Sequence, residues 1–243
     1  MDYSREIADG GSTYYISVPG ADGQVHDTAV FIPNSFHQDP TISLILYFHG
    51  HQTAYADLRS YINRANTRPL RAATGTDGRF ALIMPWLGKN SDASHIVAGA
   101  ASFDSYLDAV VAEITTRTAG PSAMSPGFRL VVSAHSGGGV AMTTTISMGG
   151  SRYTGRIISA WALDCFYSPG IITTASADVS TPWINWARSN PRASMYLYYT
   201  GGTPALNSNT IMAAGLANVH GEQSRVGHDE TPKEYFPTLL GNV

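Results

Sequence analysis

Five short, almost uninterrupted apolar runs constrain this chain more than any other feature. They occupy residues 42–48 (ISLILYF), 80–84 (FALIM), 128–132 (FRLVV), 157–163 (IISAWAL) and 195–199 (MYLYY). A strand with one wet face alternates apolar and polar residues, whereas a strand covered on both faces reads as a continuous apolar run. Helical patterns fall between the runs. Phe103, Tyr106, Leu107, Val110, Val111 and Ile114 form one helical stripe. Thr181-Pro182 reads as a cap and first turn for a helix through Trp183, Ile184 and Trp186. Thr231-Pro232-Lys233-Glu234 reads the same way, with Glu234 as a capping-box residue. Ahead of this alternation, residues 13–18 and 28–32 flank the turn-forming segment 19–23 and predict a hairpin. The expected fold class is α/β: a mostly parallel sheet with an antiparallel N-terminal hairpin and helices on both faces, as one domain over residues 1–243. Ligands in such sheets bind beyond the carboxyl ends of the strands, so the loops after Phe48, Met84, Val132, Leu163 and Tyr199 hold the candidate site.

Charge and cysteine content narrow the function. A net charge of −3, with basic residues scattered, gives no footprint for nucleic acid or an acidic membrane surface. Cys165 is the single cysteine, which excludes an intrachain disulfide and a cysteine-based zinc site. The run at 42–48 is far too short to span a bilayer. Residues 1–6 lack a charged-then-apolar signal pattern, which favours a soluble cytoplasmic protein over a secreted one whose leader was removed.

The segment Leu130-Val131-Val132-Ser133-Ala134-His135-Ser136-Gly137-Gly138-Gly139 carries the most chemistry. A buried strand leads through a serine flanked by small residues into a helix, the context a nucleophile elbow requires. Gly138 fits the second glycine of G-x-S-x-G, and Ala134 replaces the first. The Gly137 amide then opens a helix, where it can stabilise an oxyanion. A phosphate-cradling loop is the other meaning of such glycines, but no lysine follows them and G-x-G-x-x-G is absent. The pair His49-Gly50 follows the first buried run and places a second oxyanion amide at His51, with Gln52 as competitor. His49 and His51 could instead begin a metal site, yet no further ligands cluster with them in sequence, so no metal is expected.

The His49-Gly50 turn, the Ala134-His135-Ser136-Gly137-Gly138 elbow and a late histidine resemble the α/β-hydrolase family, and the alanine variant is similar to the elbow of small Bacillus-type lipases. The resemblance covers residues 28–243 in order of elements. It implies an acyl-enzyme mechanism with chain order Ser, acid, His, needing no cofactor, and leaves the substrate open. The base belongs in the loop before the last helix, which selects His228 over His220. His135 adjoins the serine and should point away from the base, in a structural role. The acid usually follows the strand at 195–199, but the loop Thr200-Gly201-Gly202-Thr203-Pro204-Ala205-Leu206-Asn207 holds no carboxylate. Asp164, at the end of the sixth predicted strand, is the expected acid, with Asp229 and Glu222 as rivals. The expected function is hydrolysis of a carboxylic ester by acylation of Ser136, on a small-molecule or polymeric acyl substrate. The alternatives are cleavage of an amide or peptide bond, including cell-wall polymers, and a binding protein that keeps the fold without activity. Trp86, Trp183 and Trp186 could line an acyl pocket or fill the core, and Cys165 reads as a buried apolar residue. Between Leu163 and Met195 there is room for a loop and one helix, with no large lid. That leaves an open site suited to extended or bulky substrates, partly covered by residues 85–101.

Overall fold

The computed structural model describes residues 4–36, 43–52, 54–64, 67–118, 128–167 and 179–243. Ile42 of the first apolar run therefore lies outside the described residues, as does the segment 168–178 between Leu163 and Met195. Among the described residues, nine strands form one sheet: β1 (Ser4–Ala8), β2 (Gly11–Pro19), β3 (Val25–Pro33), β4 (Ser43–Phe48), β5 (Phe80–Pro85), β6 (Arg129–His135), β7 (Ile157–Leu163), β8 (Ser194–Tyr199) and β9 (Val219–Gln223). Their order is β1-β2-β3-β5-β4-β6-β7-β8-β9. The first three strands run antiparallel, β3 meets β5 antiparallel, and every later pairing is parallel. The fold class expected from the apolar runs is the fold observed.

The continuous runs divide their side chains between two cores, as strands covered on both faces must. In β4, Leu44, Leu46 and Phe48 enter one core while Ile45 and Tyr47 enter the other, and in β6 Leu130 and Val132 oppose Val131. Eight helices of the described residues flank the sheet: α1 (Leu58–Ile62), α2 (Arg68–Asp77), α3 (Ser94–Val97), α4 (Ala100–Arg117), α5 (Gly139–Ser147), α6 (Ser180–Ser189), α7 (Gly202–Met212) and α8 (Thr231–Gly241). α1, α2 and α8 cover the face of Ile45, and α3 to α7 cover the face of Leu44. The stripe predicted from Phe103 to Ile114 is the buried face of α4. No helix of the described residues is long and apolar enough to cross a membrane.

Two strands escape the sequence pattern, and both are edges. β1 (SREIA) pairs with β2 and leaves Ile7 69% exposed; β9 (VHGEQ) pairs with β8 and is almost wholly exposed. Charged, short edge strands carry no apolar run because little of them is buried. With β1 included, the strand ending at Asp164 becomes the seventh. Two helix starts also differ from expectation. α6 begins at Ser180 with Val179 as its cap residue, so Thr181 lies inside the first turn. α8 follows a 3-10 turn at His228–Glu230 and makes no side-chain cap bond; Thr231 Oγ1 instead donates to the Gly227 carbonyl at 3.1 Å. The capping-box role assigned to Glu234 is thereby corrected.

Candidate active site

The parallel strands all end on one side of the sheet, and the sequence-predicted groups follow those ends. His49 comes after β4, Ser136 after β6, Asp164 after β7 and Thr200 after β8. Four non-glycine residues among those described have left-handed backbones, and three of them lie here: Ser136 (φ 53°), Asp164 (φ 51°) and Ser91 (φ 56°). Such a conformation costs roughly 1–3 kcal/mol at a residue with a Cβ and persists where surrounding packing over-determines it.

At Ser136 the cause is visible. The chain leaves β6, turns through one 3-10 turn at Ser136–Gly138 and enters α5. The turn is packed so closely that a Cβ on Gly138 would collide with the Phe48 carbonyl, and one on Gly50 would collide with Ser136 Cβ. Small residues are needed at both places. The turn leaves Ser136 partly exposed at the sheet rim, with the amides of the following turn at a helix start.

Asp164 is 1% exposed, and its carboxylate is fully engaged. The Thr200 amide donates to Oδ1 at 2.9 Å, the Thr200 hydroxyl donates to Oδ2 at 2.7 Å, and His228 Nδ1 lies 2.6 Å from Oδ2. Burial works to raise the Asp164 pKa, but the hydrogen bonds from His228 and Thr200 outweigh it and hold the carboxyl below its ordinary value. An ionised Asp164 places the shared hydrogen on His228 Nδ1 and leaves Nε2 as the acceptor nitrogen. The Tyr167 hydroxyl lies 3.3 Å from the same Nδ1.

The structure thus brings Asp164 and His228 together. Asp229 and Glu222 are exposed, and His220 stacks on Tyr196 on the edge strand with ring centroids 5.1 Å apart. No hydrogen bond joins Ser136 to His228 in this conformation; such bonds are commonly loose before substrate arrives. His135 does not point away from the base. Its Nε2 lies 3.0 Å from the His228 carbonyl and the two rings are 4.5 Å apart, which ties the elbow to the loop bearing His228.

The loop after β4 is held by His49. Its Nδ1 lies 2.6 Å from the Gly50 carbonyl, and the Leu87 amide donates to its Nε2 at 2.9 Å. With both nitrogens occupied, His49 cannot also bind a metal. The Gln52 amide donates to the Lys89 carbonyl at 3.0 Å, which leaves the His51 amide as the candidate oxyanion donor of the pair. His135, His228 and Asp229 bring potential metal-ligand atoms within 4.8 Å of one another, although one nitrogen of His228 already faces Asp164. Trp183 and Trp186 belong to the core, and the Trp183 Nε1–H donates to Thr143 Oγ1. Cys165 is buried as expected.

Sequence reasoning overlooked Thr200, because the loop after β8 was searched for a carboxylate. A hydroxyl at that strand end, facing an aspartate on the neighbouring strand end, was the available signal.

Two of the buried imidazoles, His135 and His49, make the fold sensitive to acid. Burial, with repulsion from His228, lowers the His135 pKa to about 3, and burial lowers that of His49 to about 4. Both stay neutral in the fold, while the unfolded chain protonates them below pH ~6.5. Folding stability should therefore fall as pH drops from ~6.5 towards 4, by ~1.4 kcal/mol per pH unit for each imidazole. A thermal-unfolding series from about pH 7.5 to 4.5 should show a steadily falling Tm. A flat or rising Tm would contradict the neutral, buried assignment.

No protein-family model matches the sequence, and no curated protein matches it. Solved structures do resemble it. An S-formylglutathione hydrolase from Agrobacterium tumefaciens is 15% identical with a TM-score of 0.58, over 99% of this chain and 98% of that one. A feruloyl esterase module from Clostridium thermocellum, solved with sinapinate, is 11% identical with a TM-score of 0.66, over 99% and 93%. A ferulic acid esterase is 14% identical with a TM-score of 0.63, over 95% and 96%.

Proposed function

The chain has the α/β-hydrolase fold, and on that premise we propose that it hydrolyses carboxylic esters through an acyl-enzyme on Ser136. The observation that carries this reading is the buried Asp164 carboxylate, clamped by Thr200 and 2.6 Å from His228, at the strand end next to a left-handed Ser136. Asp164 orients the His228 ring and stabilises its charge; His228 Nε2 takes the Ser136 proton as Oγ attacks the ester carbonyl. The carbonyl oxygen becomes an oxyanion facing the amides of Gly137 and His51. On collapse, the ester C–O bond breaks and His228 returns the proton to the departing alcohol. Water then repeats the sequence on the acyl-enzyme, releasing the acid and restoring Ser136.

Esters are preferred to amides in this reading because two of the three resembling structures are named as esterases, and an alcohol leaves with less help than an amine. Of residues 85–101, Ser91 reaches the elbow, with its Oγ beside Gly137. The segment 168–178 lies outside the described residues, so the open-site expectation rests on the sequence alone.

The test compares a p-nitrophenyl ester with the matching anilide, before and after dialysis against a strong chelator. The ester should turn over, the anilide far more slowly, and both rates should survive chelation. Anilide turnover matching that of the ester would favour amide substrates. Loss of activity restored by zinc would assign a metal to His135, His228 and Asp229.

A further inference from the structure

We infer that the Ser91 hydroxyl is a third donor to the oxyanion, beside the amides of Gly137 and His51; this rests on the reading of Ser136 given above. Ser91 combines two unfavourable features. Its backbone is left-handed at φ 56°, and its Oγ is buried with no hydrogen-bond partner among the described residues. The residue as a whole is only 7% exposed. A buried hydroxyl is normally paired, and an unpaired one on a strained backbone points to a partner that arrives later.

The surroundings say where that partner sits. The turn carrying Ser91 is closed by the Asp92 amide donating to the Leu87 carbonyl at 2.8 Å. It is fastened to the loop after β4 by the Leu87–His49 and Lys89–Gln52 hydrogen bonds. This places Ser91 Oγ 3.1 Å from the point a Cβ on Gly137 would occupy. At a helix start, the Cα–Cβ direction and the N–H both point towards the N-terminal end. Ser91 Oγ therefore flanks the space into which the Gly137 amide points. The His51 ring lies over the same point, with Cε1 and Nδ1 both 2.7 Å from it. His51 is exposed, and a rotation of its ring opens the Ser91 hydroxyl to the substrate oxygen. A side chain at residue 137 would fill this space, so the glycine keeps the hydroxyl within reach.

The hydroxyl donates one hydrogen bond that strengthens as the carbonyl oxygen gains charge, so it acts on turnover more than on substrate affinity. The test uses Ser91→Gly and Ser91→Ala. Glycine suits the left-handed backbone, so Ser91→Gly removes the hydroxyl without adding strain. Steady-state turnover of a p-nitrophenyl ester is read alongside inhibition by an aryl trifluoromethyl ketone, which adds Ser136 Oγ to its carbonyl and leaves an oxyanion. In both variants kcat should fall ~10- to 100-fold, with KM within about twofold, and ketone affinity should fall by a similar factor. Ser91→Gly should unfold at a Tm no lower than the wild type. Wild-type kcat and ketone affinity in Ser91→Gly would overturn the inference, as would a loss of kcat with ketone affinity unchanged. A wild-type protein showing neither turnover nor labelling at Ser136 would overturn the reading of the site itself, and this inference with it.

Discussion

Replacing Ser136 with alanine should lower ester turnover at least about a thousandfold, equivalent to ~4 kcal/mol of transition-state stabilisation. The substitution removes the atom that forms the covalent bond, so Asp164 and His228 are left with no nucleophile to activate. What remains is the oxyanion site and substrate binding, which by themselves support a slow direct attack by water. The fold should be little affected. Ser136 sits partly exposed at the end of β6, and alanine keeps the same Cβ in the same left-handed conformation. A circular-dichroism spectrum and Tm close to the wild type should accompany the loss. Turnover near the wild-type rate in Ser136→Ala would remove the mechanism altogether.

Asp164→Asn should cost ~10³- to 10⁴-fold in kcat, about 4–5 kcal/mol, for a different reason. The asparagine oxygen can still accept from Thr200, so the side chain stays where the carboxylate was. Its amide nitrogen, however, then faces His228 Nδ1 as a donor, which moves the imidazole hydrogen to Nε2. A base with its hydrogen on Nε2 cannot accept a proton from Ser136. The imidazolium also loses the ionised partner that offsets its charge. KM should move far less than kcat, since Asp164 is buried behind the histidine and does not meet substrate. An Asp164→Asn variant with wild-type kcat would mean that another acid supports His228, with exposed Asp229 the nearest in sequence.

What could be read in advance follows burial. The central strands are covered on both faces, so their composition had to be continuous and apolar, and β4 to β8 were visible for that reason. β1 and β9 bury little, and nothing in SREIA or VHGEQ had to advertise a strand. The elbow was legible because its tightness restricts residue type: small residues beside Ser136 are a steric requirement that the Phe48 carbonyl enforces on Gly138. Asp164, the proposed acid, was selected by elimination among strand ends. Its partner Thr200 and the proposed donor Ser91 could not be, because a threonine or serine in a loop fits many roles, and only the three-dimensional approach of β7 to β8, or of the 87–92 turn to Gly137, singles them out. The helix starts failed similarly. Thr-Pro suits a cap or a first turn equally well, and in both α6 and α8 it lies in the first turn.

The pairing of His135 with the His228 carbonyl has a related lesson. Alternation describes the two faces of β6, which ends at His135, whereas Ser136 already belongs to the 3-10 turn. The loop bearing His228 packs on His135. Sequence periodicity describes a strand's two faces and says nothing of a loop that arrives 93 residues later.

Covalent labelling by a fluorophosphonate, followed by peptide mapping, tests the central claim most directly. The account predicts one adduct, on Ser136, that forms in the wild type, slows strongly in Asp164→Asn and is absent from Ser136→Ala. An adduct mapped to another residue, or no adduct in a preparation that hydrolyses esters, would contradict it.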